Sequence, residues 1–185
     1  ELRLQSECHS CTGGKYCAGY ALTEPTDDCS AGFYCTTGAS QSTPGCEGQS
    51  TQCDSGINGG ICPAGSYCPK GSVTPIPCND GQWSTILGAK EPGNCLPCPP
   101  GEFCLQGVRQ GLCAEGYYCP IGSASSENFT CSTGQFCPKG SPNQQDCPPG
   151  TYQDSTGAAN CKGCTSGFTC PFAAIDVDPE NYSSS

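Results

Sequence analysis

A chain of 185 residues with a net charge of −10 and seven Lys and Arg in all lacks the basic surface that nucleic acid or an anionic membrane attracts. The apolar fraction is 35% with cysteine included, there is no Met and one Trp, and no run reaches the ~18 apolar residues that a bilayer span needs. Twenty-one cysteines, more than a tenth of the chain, take the place of a large core and point to an oxidising compartment.

Taken in chain order, the cysteines fall into one short frame, C-x-x-G-x-[aromatic]-C. Cys8 opens the series, and His9, the single histidine, reads as an exposed loop residue. Cys11-Thr-Gly-Gly-Lys-Tyr-Cys17 and Cys29-Ser-Ala-Gly-Phe-Tyr-Cys35 are the first clear copies. Cys46 reaches Cys53 with one extra residue. Cys62-Pro-Ala-Gly-Ser-Tyr-Cys68 restores the frame. Cys78-Asn-Asp-Gly-Gln-Trp keeps the first half and then has Ser84 where a cysteine is due. Cys98 to Cys104, Cys113 to Cys119 and Cys131 to Cys137 are regular again. Cys147-Pro-Pro-Gly-Thr-Tyr has Gln153 in the second cysteine position, and Cys164 starts the last unit. The ten starts recur about every 17 residues, which is the mark of a repeat architecture.

The two defective units are informative. Each is followed by a cysteine the others lack, Cys95 and Cys161, three residues before the next start. The second cysteine has moved downstream, which pairs Cys78 with Cys95 and Cys147 with Cys161. Bridges within the frame, such as Cys62–Cys68, come next. An interlocked pattern, Cys98–Cys113 with Cys104–Cys119, is the competitor. Ten units with two cysteines each leave Cys8 over, so its partner is expected upstream of Glu1 or on a neighbouring molecule.

The remaining fixed positions have physical reasons. Pro after the first cysteine and Gly three residues after it suit the second and fourth positions of a type I turn. Glycine fills that slot in nine units, from Gly14 to Gly167. One aromatic per unit, as Tyr16, Tyr67, Trp83 or Tyr152, gives each module a very small core. With 43 Gly and Pro and no sustained helical periodicity, the expected fold is small, disulfide-rich and mostly irregular. It has short β-hairpins, little or no helix, and its modules succeed one another as an elongated rod. Two blocks are expected, 1–94 and 95–172, followed by an acidic, Ser-rich tail over 173–185.

The run Cys147-Pro-Pro-Gly-Thr-Tyr-Gln-Asp-Ser-Thr-Gly-Ala-Ala-Asn-Cys161-Lys-Gly-Cys164 resembles the ephrin-receptor-like cysteine-rich repeat, a relative of TNF-receptor-type modules. Cys78 to Cys98 is a looser match. The C-P-x-G-x-Y-C-P-x-G-S units, as at Cys62 to Ser72, resemble repeats of large protist and algal surface proteins. The resemblance implies irregular extracellular modules without catalytic residues.

No other chemistry is legible. The C-x-x-C pairs at Cys8/Cys11, Cys95/Cys98 and Cys161/Cys164 lie too far apart for a zinc ribbon. No triad, phosphate loop or nucleotide fingerprint is present, so no enzyme, cofactor or metal site is expected. Asp176-Val-Asp178-Pro-Glu180 reads as an exposed acidic tail. Asn128-Phe-Thr130 and Asn181-Tyr-Ser183 are N-glycosylation sequons. Ser40 to Pro44, Ser72 to Pro77 and Ser183 to Ser185 are candidates for O-linked sugar. Two functions fit. One is a secreted structural segment of a filament, coat or ciliary appendage, associating with itself or with other matrix and surface proteins. The other is a receptor or adhesin fragment that binds a protein partner.

Overall fold

The computed structural model describes residues 11–19, 22–45, 58–166, 168–170 and 173–174. Cys8, His9, Cys46, Cys53, Gly167, Asn181, the acidic run 176–180 and the serines 183–185 lie outside them. The described residues hold no α-helix; one 3-10 turn spans Pro92–Asn94. Everything else is turn, bend or very short strand, as expected of a chain punctuated by Gly and Pro.

The chain divides into two compact units, 1–79 with 84–96 and 80–83 with 97–185. In the first, β1 (Lys15–Tyr16) pairs with β2 (Asp27–Asp28), β3 (Phe33–Cys35) with β4 (Gly59–Ile61), and β5 (Ser66–Tyr67) with β6 (Ile76–Pro77). β7 (Gln82–Trp83) pairs with β8 (Leu96–Pro97). In the second, β9 (Glu102–Leu105) pairs with β10 (Val108–Leu112), and β11 (Tyr117–Tyr118) with β12 (Phe129–Thr130). β13 (Gln135–Phe136) pairs with β14 (Gln145–Asp146), and β15 (Thr151–Tyr152) with β16 (Lys162–Gly163).

Each hairpin has the same origin. Its first strand leaves the glycine slot of a turn, and its second ends just before the next first cysteine. Two residues per strand is too little for independent stability, so the hairpins are held by their flanks. Those flanks are cystine. Nearly all the fully buried side chains are cysteines, and a representative cluster is Cys29, Cys35 and Ala39 with Tyr16 and Phe33 packed against it.

β9 and β10 form the one long hairpin among the described residues. Only nine positions separate Cys104 from Cys113, so no loop intervenes. The chain reverses at Gln106 (φ 49°) and Gly107 (φ 78°). Two successive positive φ values are those of a type I′ turn, the reversal that matches strand twist.

Candidate functional site: the stacked cysteine turns

Nine disulfides lie among the described residues. Seven close the short frame across six residues: Cys11–Cys17, Cys29–Cys35, Cys62–Cys68, Cys98–Cys104, Cys113–Cys119, Cys131–Cys137 and Cys164–Cys170. Cys78–Cys95 and Cys147–Cys161 span 17 and 14 residues. Cys98 and Cys113 each bond within their own turn, so the interlocked alternative is not the one adopted. Cα–Cα distances of 5.7 to 6.0 Å hold for short and long bridges alike.

The turn inside each frame sits one residue later than the sequence suggested. Ser66 N–H donates to the Pro63 carbonyl, Glu102 to Pro99 and Thr151 to Pro148. Proline therefore takes the first position of the turn and glycine the third. Gly65 has φ 81° and Gly101 φ 84°; a positive φ at the third position is that of a type II turn, which demands glycine. The proline carbonyl is what the turn needs, and that group is present in every residue, which is why Ser30, Ala114 and Ser132 substitute freely there.

Successive turns are joined by backbone hydrogen bonds that recur with the same donors and acceptors. In the second unit Cys113 N–H donates to Gly101 O, Gly116 N–H to Cys137 O, Cys119 N–H to Ser141 O and Gly122 N–H to Cys98 O. In the first, Cys62 N–H donates to Gly32 O, Gly65 N–H to Ser84 O, Cys68 N–H to Ala89 O and Gly71 N–H to Cys29 O. These four bonds define a rung. The rung of the Cys29 turn goes to the Cys62 turn, through Gly32 N–H to Cys68 O at 2.8 Å. The described residues hold nine such turns, and the Cys29 turn passes its rung directly to the Cys62 turn. The physical reason is that β3 pairs with Gly59–Ile61, the residues just before Cys62.

The rung uses two positions that the cysteine frame did not single out. A second glycine stands three residues after the second cysteine, as Gly38, Gly71, Gly122 and Gly140, and four residues after Ser84 and Gln153, as Gly88 and Gly157. Its carbonyl packs over the first glycine of the turn two rungs earlier. A Cβ on Gly32 would lie 2.6 Å from Gly88 O, and on Gly81 or Gly116 closer still to Gly122 O or Gly157 O. A small residue comes next, and Ala39, Ala89, Ser123 and Ser141 are buried there. Ser72, Ser123 and Ser141 each donate their hydroxyl to the carbonyl of Pro69, Pro120 or Pro138 at 2.7 Å. That explains the P-x-G-S signature as a closed local hydrogen bond. In the last turn Ala173 takes the glycine position at φ 56° and still donates to Cys147 O.

Where the second cysteine is missing, polar side chains fill the place. Gln153 is buried; its Nε2 donates to Asn160 O at 2.7 Å and its Oε1 accepts from Ser155 N–H. Ser84 is buried and accepts from Ile86 N–H. Asn94 Oδ1 accepts from Lys90 N–H and Glu91 N–H, folding the loop before Cys95. By cysteine spacing alone Ser84 and Gln153 are vacancies; a buried glutamine with both ends bonded is instead a replacement cross-link.

The aromatic slot faces outward more than a core residue would. Tyr16, Tyr34, Tyr67, Phe103, Tyr118 and Tyr152 are half-buried, as is Trp83. Tyr118 and Phe129 stand 5.4 Å apart, Arg109 covers the Trp83 ring at 5.0 Å, and Lys162 lies 5.7 Å over Tyr152.

Four of the few cations are committed to ion pairs. Lys15 pairs with Asp28, Lys70 with Asp27 and Asp28, Arg109 with Glu102, and Lys162 with Asp154. The hydrogen bond from Arg109 holds the Glu102 carboxyl below its ordinary value, and that from Lys162 does the same for Asp154. The Asp28 N–H, then Lys70, lower Asp27. No group of three or more His, Cys, Asp or Glu arranged to hold a metal occurs among the described residues. Asn128, Phe129 and Thr130 are all exposed. No protein-family model matches the chain, and no curated protein does.

Proposed function

We propose that this chain is a structural segment of an extracellular assembly: a filament, surface coat or ciliary or flagellar appendage built from cysteine-rich repeats. Nine disulfides, and no helix among the described residues long and apolar enough to cross a membrane, fit an extracellular or secreted protein. The observation that carries the structural reading is the rung. The same four backbone bonds recur from turn to turn although the side chains between them vary freely. Units of this kind touch their neighbours along one dimension, so such a chain serves as a spacer whose length is set by repeat number. The likeness of the Cys147 to Cys164 run to ephrin-receptor-like repeats supports the extracellular placement.

The reading includes sugar on the outer face. Asn128 and Thr130 are exposed on either side of Phe129, whose ring is engaged by Tyr118. An acceptor asparagine needs that access. Glycosidase treatment of secreted material is expected to lower its mass, and Asn128→Gln to abolish the loss at that peptide.

Negative-stain images of native material test the assembly. Regular fibrils or lattices are expected. Isolated particles that bind a cell-surface protein would replace this reading with a receptor or adhesin ectodomain.

A further inference from the structure

In each hairpin the residue before the aromatic slot lies on the opposite face of its strand from that aromatic. Lys15 stands there opposite Asp28 and Gln135 opposite Asp146, and in both pairs the side chains meet at 2.7 Å. Ser66 and Thr151 hold the same position opposite Pro77 and Gly163. The position takes small polar residues, and longer ones reach across the hairpin from it.

Between β11 and β12 that residue is Tyr117, and it stands opposite Thr130. Thr130 is the hydroxyl residue of the Asn128-Phe129-Thr130 sequon, so one hairpin sets an aromatic ring across from an acceptor triplet. On the other face Tyr118 and Phe129 satisfy each other, with ring centroids 5.4 Å apart. Tyr117 has no such neighbour. Among the described residues its ring meets no second ring or cation, and neither its hydroxyl nor the Asn128 amide has a hydrogen-bond partner. Tyr117 is half-buried, and Asn128 and Thr130 are exposed.

We propose that Tyr117 is the platform on which a glycan at Asn128 rests. The ligand class is the first acetamido sugar of an N-linked glycan. Asn128 lies two residues before Thr130 and so diagonal to Tyr117, a separation of roughly 7–8 Å that aromatic side chains span. A pyranose offers a face of weakly positive C–H groups, and the tyrosine ring offers the negative face of its quadrupole. Contact between them also takes apolar surface of both out of water. The glycan then leaves the chain over β11, along the surface of the hairpin, and its first sugar covers the one aromatic that no protein ring covers there. The inference rests on the sugar reading of Asn128 and is independent of the filament reading.

The test uses secreted, glycosylated protein with Tyr117→Ser and Tyr117→Phe variants. Serine already fills this position as Ser66 in another hairpin, and phenylalanine keeps the ring. The native proteins are treated with an endoglycosidase that cuts after the first sugar, and trimming of the Asn128 peptide is followed by mass spectrometry. Tyr117→Ser should be trimmed roughly two- to tenfold faster than wild type. Tyr117→Phe should keep the wild-type rate, as should Gln135→Ala, which alters the same position one hairpin on. After reduction and denaturation all four should be cut alike. Independently of any variant, the ring current of Tyr117 should move the N-acetyl methyl protons of the first sugar upfield in the wild-type NMR spectrum. Equal native rates for wild type and Tyr117→Ser, or an unshifted methyl signal, overturn the platform and leave the sugar on Asn128 standing. An Asn128 peptide without sugar overturns both.

Discussion

The Cys113 and Cys147 turns differ in the position of their bridge and in little else. The first is closed across six residues and the second across 14. Yet Cys147 N–H meets Gly134 O, Gly150 N–H meets Cys170 O, Gln153 N–H meets Ala174 O and Gly157 N–H meets Cys131 O. These are the bonds of the Cys113 turn, position for position, with Gln153 standing for Cys119. The disulfide is therefore a movable part. The repeat is defined by the pair of glycines and the backbone rung they permit, and the bridge holds that rung shut from wherever it can reach.

The largest expected effect is common to both kinds of turn. Full reduction should unfold the chain wholesale, read as loss of circular dichroism and of protease resistance, because a native bridge in a small secreted domain contributes about 2–5 kcal/mol. A reduced chain that kept its rungs would break the comparison at its base, since the backbone alone would then suffice. Next comes Gly116→Ala, which leaves the bridge intact and attacks the rung. It places a Cβ against the Gly157 carbonyl at φ 83°, and left-handed strain plus overpacking should cost roughly 3–5 kcal/mol in denaturant unfolding. A cost near zero would make the bridge, and not the glycine, the defining element.

Removing one bridge of each kind sharpens the contrast. Chain-entropy arguments give about 3 kcal/mol for the loop of the Cys147–Cys161 pair and roughly 2 for that of Cys113–Cys119. Paired Cys→Ser variants should thus differ by less than about 1 kcal/mol in unfolding free energy. Gln153→Ala is smaller again. It removes two hydrogen bonds and truncates a buried side chain, a loss of about 1–2 kcal/mol, whereas Ser155→Ala nearby, at an exposed position, should stay within roughly 0.5 kcal/mol.

Charge gives the smallest effect, and it too occurs in both kinds. Glu102 in a regular turn and Asp154 in a displaced one are each held below their ordinary values of 4.5 and 3.8 by a cross-hairpin cation. A carboxyl lowered on folding stabilises above its unfolded value, and that contribution is lost as the pH falls through the folded value. Thermal midpoints should drop slightly below about pH 4 in wild type, and less so in Arg109→Ala or Lys162→Ala. Equal acid sensitivity in the variants would remove these pairs from the account.

Much of the architecture could be read from spacing. Cys95 and Cys161 stood where a displaced partner had to stand, and the structure joins them to Cys78 and Cys147. A bridge needs two cysteines within reach of a short loop, and a regular frame leaves few choices. The hairpins, and the lack of α-helix among the described residues, came from Gly, Pro and the absence of apolar periodicity. The turn type was misplaced by one residue, because a Pro and a Gly two apart suit two turns, and only the Ser66-to-Pro63 hydrogen bond distinguishes them.

Spacing also did not say which residues Phe33–Cys35 would pair with; the structure gives them the strand before Cys62, a choice of partner that local sequence does not encode. Composition and cysteine spacing were enough to establish a disulfide-held repeat with short hairpins, since those depend on local geometry and chain connectivity. The roles of the second glycine and of the small residue after it, and the cross-linking by Gln153, were decided by tertiary structure alone. Each depends on which carbonyl or which neighbouring turn lies opposite, and that is settled only when distant residues meet.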